Sequence, residues 1–201
     1  MKITLSADAL YDLASAGALA STDKARPILT AVKLEISGTT AKAVATDSYR
    51  LVTIERDIID SDSETGAALI PADILAKAAK DAAKTGDDCT ITVDDNMTFS
   101  IANSREEWRY GGRLIDGNYP DVISLIPKAG TLCEIDGNIA FNAFYLADFT
   151  KVAPWSGLKG RAKTGNDGGI KITAINDSRR PIRFESYDGR TIIVIMPIVW
   201  R

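Results

Sequence analysis

Histidine is absent from all 201 residues of this chain. Its absence excludes Ser-His-Asp and Cys-His catalysis, histidine-ligated zinc and imidazole proton shuttles. The sequence also has no GxxxxGK[ST] loop and no GxGxxG after a predicted strand, so no phosphate-cradling loop is visible. Neighbouring carboxylates such as Asp94 and Asp95 fall where tight turns are expected and are interpreted as solvated turn residues. We therefore expect a protein that is not an enzyme and that has no cofactor or metal site.

Cysteine is scarce, and long apolar runs are missing. Cys89 and Cys133 fall in separate predicted strands, and we interpret them as buried free thiols in a reducing cytosol. No stretch reaches the roughly 18 apolar residues that a membrane span needs. The first residues become acidic too soon for a signal peptide. We expect a soluble, cytoplasmic protein.

An excess of positive charge is also lacking. The chain has 24 Lys and Arg residues against 27 Asp and Glu residues, for a net charge of −3. This balance excludes a global attraction to nucleic acid, so any contact with DNA must come from local patches. A chain of this length can bury roughly 70% of its unfolded surface, and it therefore needs no metal or disulfide to fold.

What the chain does contain is one predicted unit repeated three times, with a period of about 65 residues. Each unit is a short strand, a helix and three further strands, which predicts an α+β fold with antiparallel sheets. One helix covers little sheet, so two units should face each other and pack their helices over a joint sheet. Units one and two can do so within residues 1–127. Unit three, residues 128–201, is left as half a domain, and we therefore expect an oligomer.

The boundaries of these units follow from local signals. Ser6 is the predicted N-cap of a helix over Ala7–Ala20, and Pro71 begins a second helix that reaches Lys84. A third helix should start after Asn138 or Asn142 and end at Pro154. The polar segment Asp60–Gly66 is predicted to be an exposed loop. The other predicted strands are Met1–Leu5, Leu29–Ile36, Ala41–Thr46, Tyr49–Arg56, Ala67–Ile70, Cys89–Val93, Met97–Ala102, Glu107–Leu114, Thr131–Ile135, Ile170–Ile175, Ile182–Ser186 and Thr191–Val199.

Basic residues recur at the same end of each predicted helix. They are Lys24, Arg26, Lys77, Lys80, Lys84, Lys151, Lys159, Arg161 and Lys163. One interpretation is structural: cations complement a helix C-terminus, and Asp73 and Asp81 pair with Lys77. The other is a ring of phosphate contacts that binds duplex DNA weakly and without sequence preference. The structural interpretation explains the second helix better than it explains the loops.

Four motifs, in order along nearly the whole chain, resemble the bacterial DNA polymerase sliding clamp. Ala45–Leu51 is similar to the ATDGHRL segment of that family, and Arg26–Val32 resembles the segment before it. Leu114–Pro127 resembles the motif that ends the middle domain, and Ile195–Ile198 is similar to the C-terminal Met-Pro motif. The resemblance implies a clamp fold with sheets outside and helices inside. Residues 1–127 would correspond to the middle domain and 128–201 to the second half of the last.

The family ring has twelve helix-bearing units, so a chain with three units would need four copies. The resemblance therefore implies a homo-oligomeric ring, with a tetramer favoured and a dimer or trimer still open. It also implies duplex DNA as a partner, together with peptides of the polymerase and the clamp loader. The short and divergent sequence suggests a phage or mobile-element version.

The resemblance implies a peptide pocket whose walls come from two ends of the chain. Matched residue by residue, it comprises Leu29, Thr46, Ser48, Tyr49, Arg50, Leu51, Pro120, Leu125, Val194 and Met196. Apolar side chains with a flexible methionine and one arginine suit a short apolar motif. For Val194 and Met196, a simple core strand is the alternative. Ser48 and Tyr49 depart from the Gly and His usual in the family, and the bulkier Tyr49 would narrow the pocket.

Two functions remain open at this point. The first is a processivity factor that encloses duplex DNA and raises the effective concentration of the polymerase. The second is an interaction module that is derived from a clamp and binds replication proteins without enclosing DNA. The size of the assembly and its retention on DNA distinguish the two.

Overall fold

The computed structural model describes residues 1–131, 139–153, 155, 169–175 and 180–198. Its strands are β1 (Lys2–Leu5), β2 (Ala31–Ser37), β3 (Thr40–Thr46), β4 (Arg50–Asp57), β5 (Asp60–Ser61), β6 (Thr65–Pro71), β7 (Cys89–Val93), β8 (Thr98–Asn103), β9 (Arg109–Arg113), β10 (Lys171–Ala174), β11 (Ile182–Glu185) and β12 (Thr191–Ile195). Its α-helices are α1 (Ala7–Ser15), α2 (Ala72–Thr85) and α3 (Ala143–Ala147). Short 3-10 helices lie at Ala16–Leu19, Pro27–Thr30, Ile123–Leu125 and Asp148–Lys151. The predicted α+β class is confirmed.

The strands form two antiparallel sheets. One has five strands in the order β5-β1-β7-β8-β9, and the other has seven in the order β10-β11-β12-β4-β3-β2-β6. The strand before α1 pairs with β7, and the strand before α2 pairs with β2. The prediction of one joint sheet under both helices is therefore wrong. The two leading strands are exchanged, so α1 packs against β3 and β4, whereas α2 packs against β8 and β9.

Helix α1 begins after the predicted N-cap Ser6, and α2 spans Ala72–Thr85, within one residue of its predicted bounds. The Ser6 side chain accepts a hydrogen bond from the Ala9 amide at 3.1 Å, which caps α1. Gly86 ends α2 in the left-handed conformation, with φ of 72°. Between the helices, a Cβ at Gly17 would lie 3.1 Å from the Cβ of Ala72. Small residues therefore let the two helices approach closely.

Some predicted boundaries are wrong. The segment Asp60–Gly66 is only partly a loop. Its first two residues form β5, which pairs with β1, and Thr65 is the first residue of β6. Leu29 lies in a 3-10 helix, and its strand begins only at Ala31. The first α-helix ends at Ser15, five residues before its predicted end at Ala20, and continues as a 3-10 helix over Ala16–Leu19. Most of the predicted strand Thr131–Ile135 lies outside the described residues.

The last part of the chain is attached to the first by a pair of strands. β12 pairs antiparallel with β4, from Thr191 opposite Ile54 to Ile195 opposite Arg50. Phe149 and Val152, which follow α3 in the sequence, are buried in the same core as α1. The Ala153 amide also donates a hydrogen bond to the Ser15 hydroxyl at 2.9 Å. The seven-stranded sheet therefore combines β10, β11 and β12 with β2, β3, β4 and β6 from the first part of the chain.

Cys89 is a buried free thiol, as predicted. Burial, with a smaller effect of the neighbouring Asp88 and Asp87 charges, raises the pKa of this thiol to about 11. Cys133 lies outside the described residues. Among the described helices, none has both the length and the apolar character needed to cross a membrane.

Candidate functional site

A cavity of about 800 Å³ opens where β4 meets β12. We call it the junction cavity. Its walls contain all ten residues expected to form a pocket: Leu29, Thr46, Ser48, Tyr49, Arg50, Leu51, Pro120, Leu125, Val194 and Met196. Leu29, Leu51 and Val194 are buried and form its floor, whereas Tyr49 and Leu125 are each more than half exposed and form its rim. The cavity is thus largely apolar and open to solvent.

The turn before β4 shapes one wall through hydrogen bonds to its own backbone. The Asp47 carboxylate accepts hydrogen bonds from the Tyr49 and Arg50 amides, each at 3.0 Å. The Thr46 hydroxyl donates to the Arg50 carbonyl at 2.7 Å and accepts from the Ser48 amide at 3.1 Å. Ser48 has a φ of 83°, in the left-handed region that glycine enters most easily. These bonds hold a serine in that conformation.

Arg50 connects this turn to the third helix. Its Nε donates to Asp47 at 2.9 Å, and its Nη1 donates to Asp148 at 2.7 Å. The guanidinium carbon lies 4.5 Å from the ring centre of Tyr145, in a cation–π contact. The side chain is only 9% exposed, so these partners replace most of its water. Arg50 is therefore a wall residue of the cavity that is fixed from two sides.

The charge on Asp148 is maintained by its partners. Burial raises the pKa of its carboxyl, but hydrogen bonds from Lys151 and Arg50 outweigh burial and lower the pKa below its usual range. Tyr49 stacks on Tyr145 with ring centres 6.3 Å apart, and the Tyr49 carbonyl accepts a hydrogen bond from the Met196 amide at 2.9 Å. The rim of the cavity is thereby tied to both α3 and the end of β12.

Arg26 lies at the junction cavity, although it was predicted to contact DNA. Its Nε donates to Asp23 at 3.0 Å, and its Nη1 donates to the Ser48 hydroxyl at 2.9 Å. The hydroxyl at position 48, which glycine could not supply, therefore anchors an arginine at the rim. Arg26 therefore lines the junction cavity, whereas Lys24, two residues earlier in the sequence, does not.

A second cavity of about 800 Å³ lies over α1 and α2, and we call it the helix-face cavity. It brings together Lys24, Lys80 and Lys151 from three separate segments. Lys24 and Lys80 form no ion pair with any residue that the structure describes, whereas Lys151 pairs with Asp148. The floor consists mainly of alanines and Gly17. Asp73 lines it as well, so this surface presents three ammonium groups and one carboxylate over mostly small side chains.

The other predicted DNA contacts do not line this cavity. Lys77 pairs with Asp73 at 3.5 Å, as the structural interpretation expected. Asp81 pairs with Lys84 at 2.6 Å instead of Lys77. Lys159, Arg161 and Lys163 lie outside the described residues. The ion pairs on α2 account for Lys77 and Lys84 but not for Lys80.

Several residues of the junction cavity were not predicted. The walls also include Pro27, Ile28, Val122 and Pro181. Val122 packs against the floor residues Leu51 and Val194. Ile28 and Val122 lie within the recognised motifs Arg26–Val32 and Leu114–Pro127, so taking every apolar residue of each motif would have included them. No local signal could have assigned Asp148 to Arg50. Among the described residues, no cluster of three or more carboxylates or cysteines could hold a metal ion.

Comparison with known proteins gives one family and a consistent set of relatives. The model for the DNA polymerase III beta subunit, central domain, matches residues 5–121. The beta sliding clamp of Micrococcus luteus is 36% identical over 119 residues, which is 56% of this chain and 36% of that protein. The beta sliding clamp of Halalkalibacterium halodurans is 28% identical over 165 residues, which is 77% of this chain and 40% of that protein. The match thus spans less than half the length of either relative.

Solved structures share the fold over the whole chain. The sliding clamp of Bacillus subtilis has a TM-score of 0.76 at 19% identity and covers 100% of this chain and 65% of its own. The Pseudomonas aeruginosa sliding clamp bound to griselimycin has a TM-score of 0.78 at 16% identity and covers 100% of this chain and 66% of its own. At these identities the likeness establishes the fold alone.

The position of Asp148 predicts how its substitution changes stability. Asp148→Asn removes the charge that Arg50 faces inside the structure, so the free energy of unfolding should fall by about 1–3 kcal/mol. The matched control Lys151→Ala removes only the exposed partner and should change it by less than about 1 kcal/mol. Urea titration followed by circular dichroism measures both.

The pKa of Asp148 adds a dependence on pH. Because the folded pKa is lowered, the stabilisation is present above the unfolded pKa and is lost as the pH falls through the folded pKa. The difference between the Asp148→Asn protein and the unaltered protein should therefore shrink in acid. An equal loss for Asp148→Asn and Lys151→Ala at neutral pH would show that Arg50 does not depend on this carboxylate.

Proposed function

The chain belongs to the family of the DNA polymerase III beta subunit, whose central-domain model matches residues 5–121, and on this premise we propose that it acts as a sliding clamp. In this role several copies form a ring around duplex DNA and hold replication proteins to it. The family is non-enzymatic, in agreement with the expectation from the sequence. The observation that carries the proposal is the junction cavity, because its apolar floor and arginine-bearing rim suit a short peptide.

The proposed ligand of the junction cavity is a short apolar segment of a polymerase or a clamp loader. Leu29, Leu51 and Val194 would receive its apolar side chains, and the exposed Leu125 and Met196 would close over them. Tyr49 is held against Tyr145, where it narrows one side of the entrance. Arg26, whose side chain is 48% exposed, supplies a guanidinium at the rim and would favour a peptide with an acidic or polar residue beside the apolar ones, whereas Arg50 is held in the wall by Asp47 and Asp148.

The proposed ring consists of three strand-helix-sheet units per chain, with the boundary between the complete and the half domain near residue 127. Four copies would supply twelve units, and the half domains of two copies would complete each other across a two-fold axis. A dimer or a trimer would contain fewer than twelve units. The sheets would face outward and the helices inward, as part of the same proposal. A cytoplasmic location and a phage or mobile-element source also belong to this proposal.

The proposed DNA contact is the helix face. Lys24, Lys80 and Lys151 converge there from three segments, and two of them are free of ion pairs with the described residues. Ammonium groups on an otherwise small-residue surface suit phosphates and carry no means of reading bases. Lys159, Arg161 and Lys163 would add to this surface, whereas Arg26 fits the peptide cavity better. Binding would be weak, independent of sequence and sensitive to salt.

A second function is favoured because several of the basic residues predicted to contact DNA are paired with carboxylates. Lys77, Lys84 and Lys151 are each paired with a carboxylate, and the net charge of the chain is −3. An interaction module that binds replication proteins without enclosing DNA would need only the junction cavity. The two functions agree on peptide binding and differ on DNA.

Replacing apolar rim residues should abolish peptide binding. Leu125→Glu and Met196→Glu place a charge at exposed positions of the cavity, so the fold should survive while the affinity for an apolar peptide falls at least about tenfold. The probe is a fluorescein-labelled peptide that carries the clamp-binding sequence of a bacterial replicative polymerase, and fluorescence anisotropy measures its Kd.

The matched control for this experiment is Ile172→Glu, which adds the same charge at an exposed apolar residue of β10 outside the cavity. It should leave the Kd unchanged. Equal affinity in all three variants and the unaltered protein would remove the cavity as the binding site. If binding were lost in the control as well, the added negative charge and not its position in the cavity would explain the loss.

Neutralising the two free lysines of the helix face should weaken retention on DNA. Lys24→Gln with Lys80→Gln removes two phosphate contacts, so the slope of log affinity against log salt should decrease by about 2 for every DNA sequence. Lys84→Gln, whose lysine already pairs with Asp81, is the control.

Gel filtration on nicked circular and linear duplexes measures retention. A ring should remain on the circle and leave the linear form; equal loss from both supports the interaction module.

A further inference from the structure

Ser48 and the two residues after it each contact a different segment of the chain. Tyr49 and Arg50 contact the third helix and the turn that follows it. The Ser48 hydroxyl instead accepts a hydrogen bond from Nη1 of Arg26 at 2.9 Å, across 22 positions of sequence. The turn before β4 therefore fixes a guanidinium on the far side of the junction cavity.

The backbone of Ser48 has a conformation that costs free energy for a serine. Its φ of 83° lies in the left-handed region, which glycine enters without strain. Residues in such conformations are concentrated at ligand sites, where the surrounding structure maintains them. Glycine at this position would avoid the cost but would leave Nη1 of Arg26 without its partner. The bond to Arg26 is therefore what the serine side chain adds to this turn.

Arg26 is held from two sides and keeps one nitrogen available. Its Nε donates to the Asp23 carboxylate at 3.0 Å, and the Ala25 amide donates to the same carboxylate at 2.9 Å. These two bonds lower the pKa of Asp23, so the group is ionised at neutral pH. Nη2 of Arg26 forms no hydrogen bond within the part of the chain that the structure describes. The side chain is nearly half exposed and lines the cavity.

A guanidinium fixed in this way is pre-organised for a carboxylate. Two anchored nitrogens remove part of the rotamer freedom that Arg26 would otherwise lose on binding a ligand. A hydrogen bond from a guanidinium to a carboxylate is also stronger than one to a neutral amide. Asp23 balances the charge of Arg26, and the exposed Asp116 adds a second carboxylate to the cavity wall. Any preference for an anion therefore depends on a directed bond and not on general attraction.

We infer that Ser48 is a specificity-determining residue of the junction cavity, because it positions Arg26 so that Nη2 binds a carboxylate beside the apolar residues of a peptide. Arg26 contacts the ligand, and Ser48 acts through Arg26 as a positioning residue. An acidic side chain and a C-terminus present the same carboxylate group, so either can supply it. This role rests on the proposed function and deepens it, since it names the class of peptide that the cavity selects.

The test compares three forms of the fluorescein-labelled peptide. The neutral form has a C-terminal amide and a glutamine beside its apolar residues. The second form has glutamate in place of that glutamine, and the third keeps the glutamine but has a free C-terminal carboxylate. At least one carboxylate form should bind about three- to tenfold more tightly than the neutral form, and the tighter one identifies the source. Fluorescence anisotropy measures each Kd.

Variants of the two residues separate position from charge. Ser48→Gly removes the hydroxyl, and Arg26→Lys keeps the charge but removes the planar guanidinium. Each should reduce the ratio of the neutral to the carboxylate Kd to below about twofold. Adding Ser48→Gly to Arg26→Gln should change the ratio no further, because Ser48 acts through Arg26. Lys24→Gln removes a nearby cation outside the cavity and should keep the ratio. Thermal unfolding checks that each variant is folded.

Three results would overturn this role for Ser48. They are equal Kd values for the three peptides in the unaltered chain, a ratio that survives Ser48→Gly, and a ratio that falls as far in Lys24→Gln. In each case the peptides still bind, so the proposed function stands. If no form of the peptide binds, the proposed function is contradicted and the role of Ser48 falls with it.

Discussion

The antiparallel pairing of β4 with β12 is the interaction on which the rest of this structure depends. It joins residues from the first third of the chain to residues near its end in one seven-stranded sheet. Leu51 and Val194 lie opposite each other in this pairing and together form the floor of the junction cavity. Neither half of the chain could supply that floor alone. The cavity is therefore a consequence of how the two parts are joined, and its shape is as fixed as the sheet beneath it.

The ion pairs around Arg50 fix the same junction from its other side. Asp47 holds the arginine in the turn that it follows, and Asp148 holds it against the third helix. Asp148 also pairs with Lys151 of the helix face, so a chain of four charged groups runs from the wall of one cavity to the rim of the other. Buried ion pairs contribute less to net stability than to a single defined arrangement. Here they orient Tyr49 and Tyr145 at the entrance of the cavity.

The sequence predicted the local features and missed the distant ones, for physical reasons. The turn at Thr46–Arg50 was predictable because its side chains bond their own backbone, and the caps of α1 and α2 because they act within four residues. All ten residues predicted for the pocket came from the family resemblance, and the structure places them around one space. The exchange of β1 and β6 was missed because alternation within a strand does not reveal its partner. The pairing of Arg50 with Asp148, 98 residues away, has no local signal at all.

Hydrogen exchange at the β4–β12 pairing tests the central claim most directly. If the pairing joins the two parts into one sheet, the amides of Leu51 and Val194, which form hydrogen bonds across it, should be as protected as those of β3, and all should exchange through the same opening. Mass spectrometry of peptides that cover each strand measures this in the unaltered chain. Amides of β12 that exchange much faster than those of β3 would contradict the account, because the junction cavity would then lack a permanent floor.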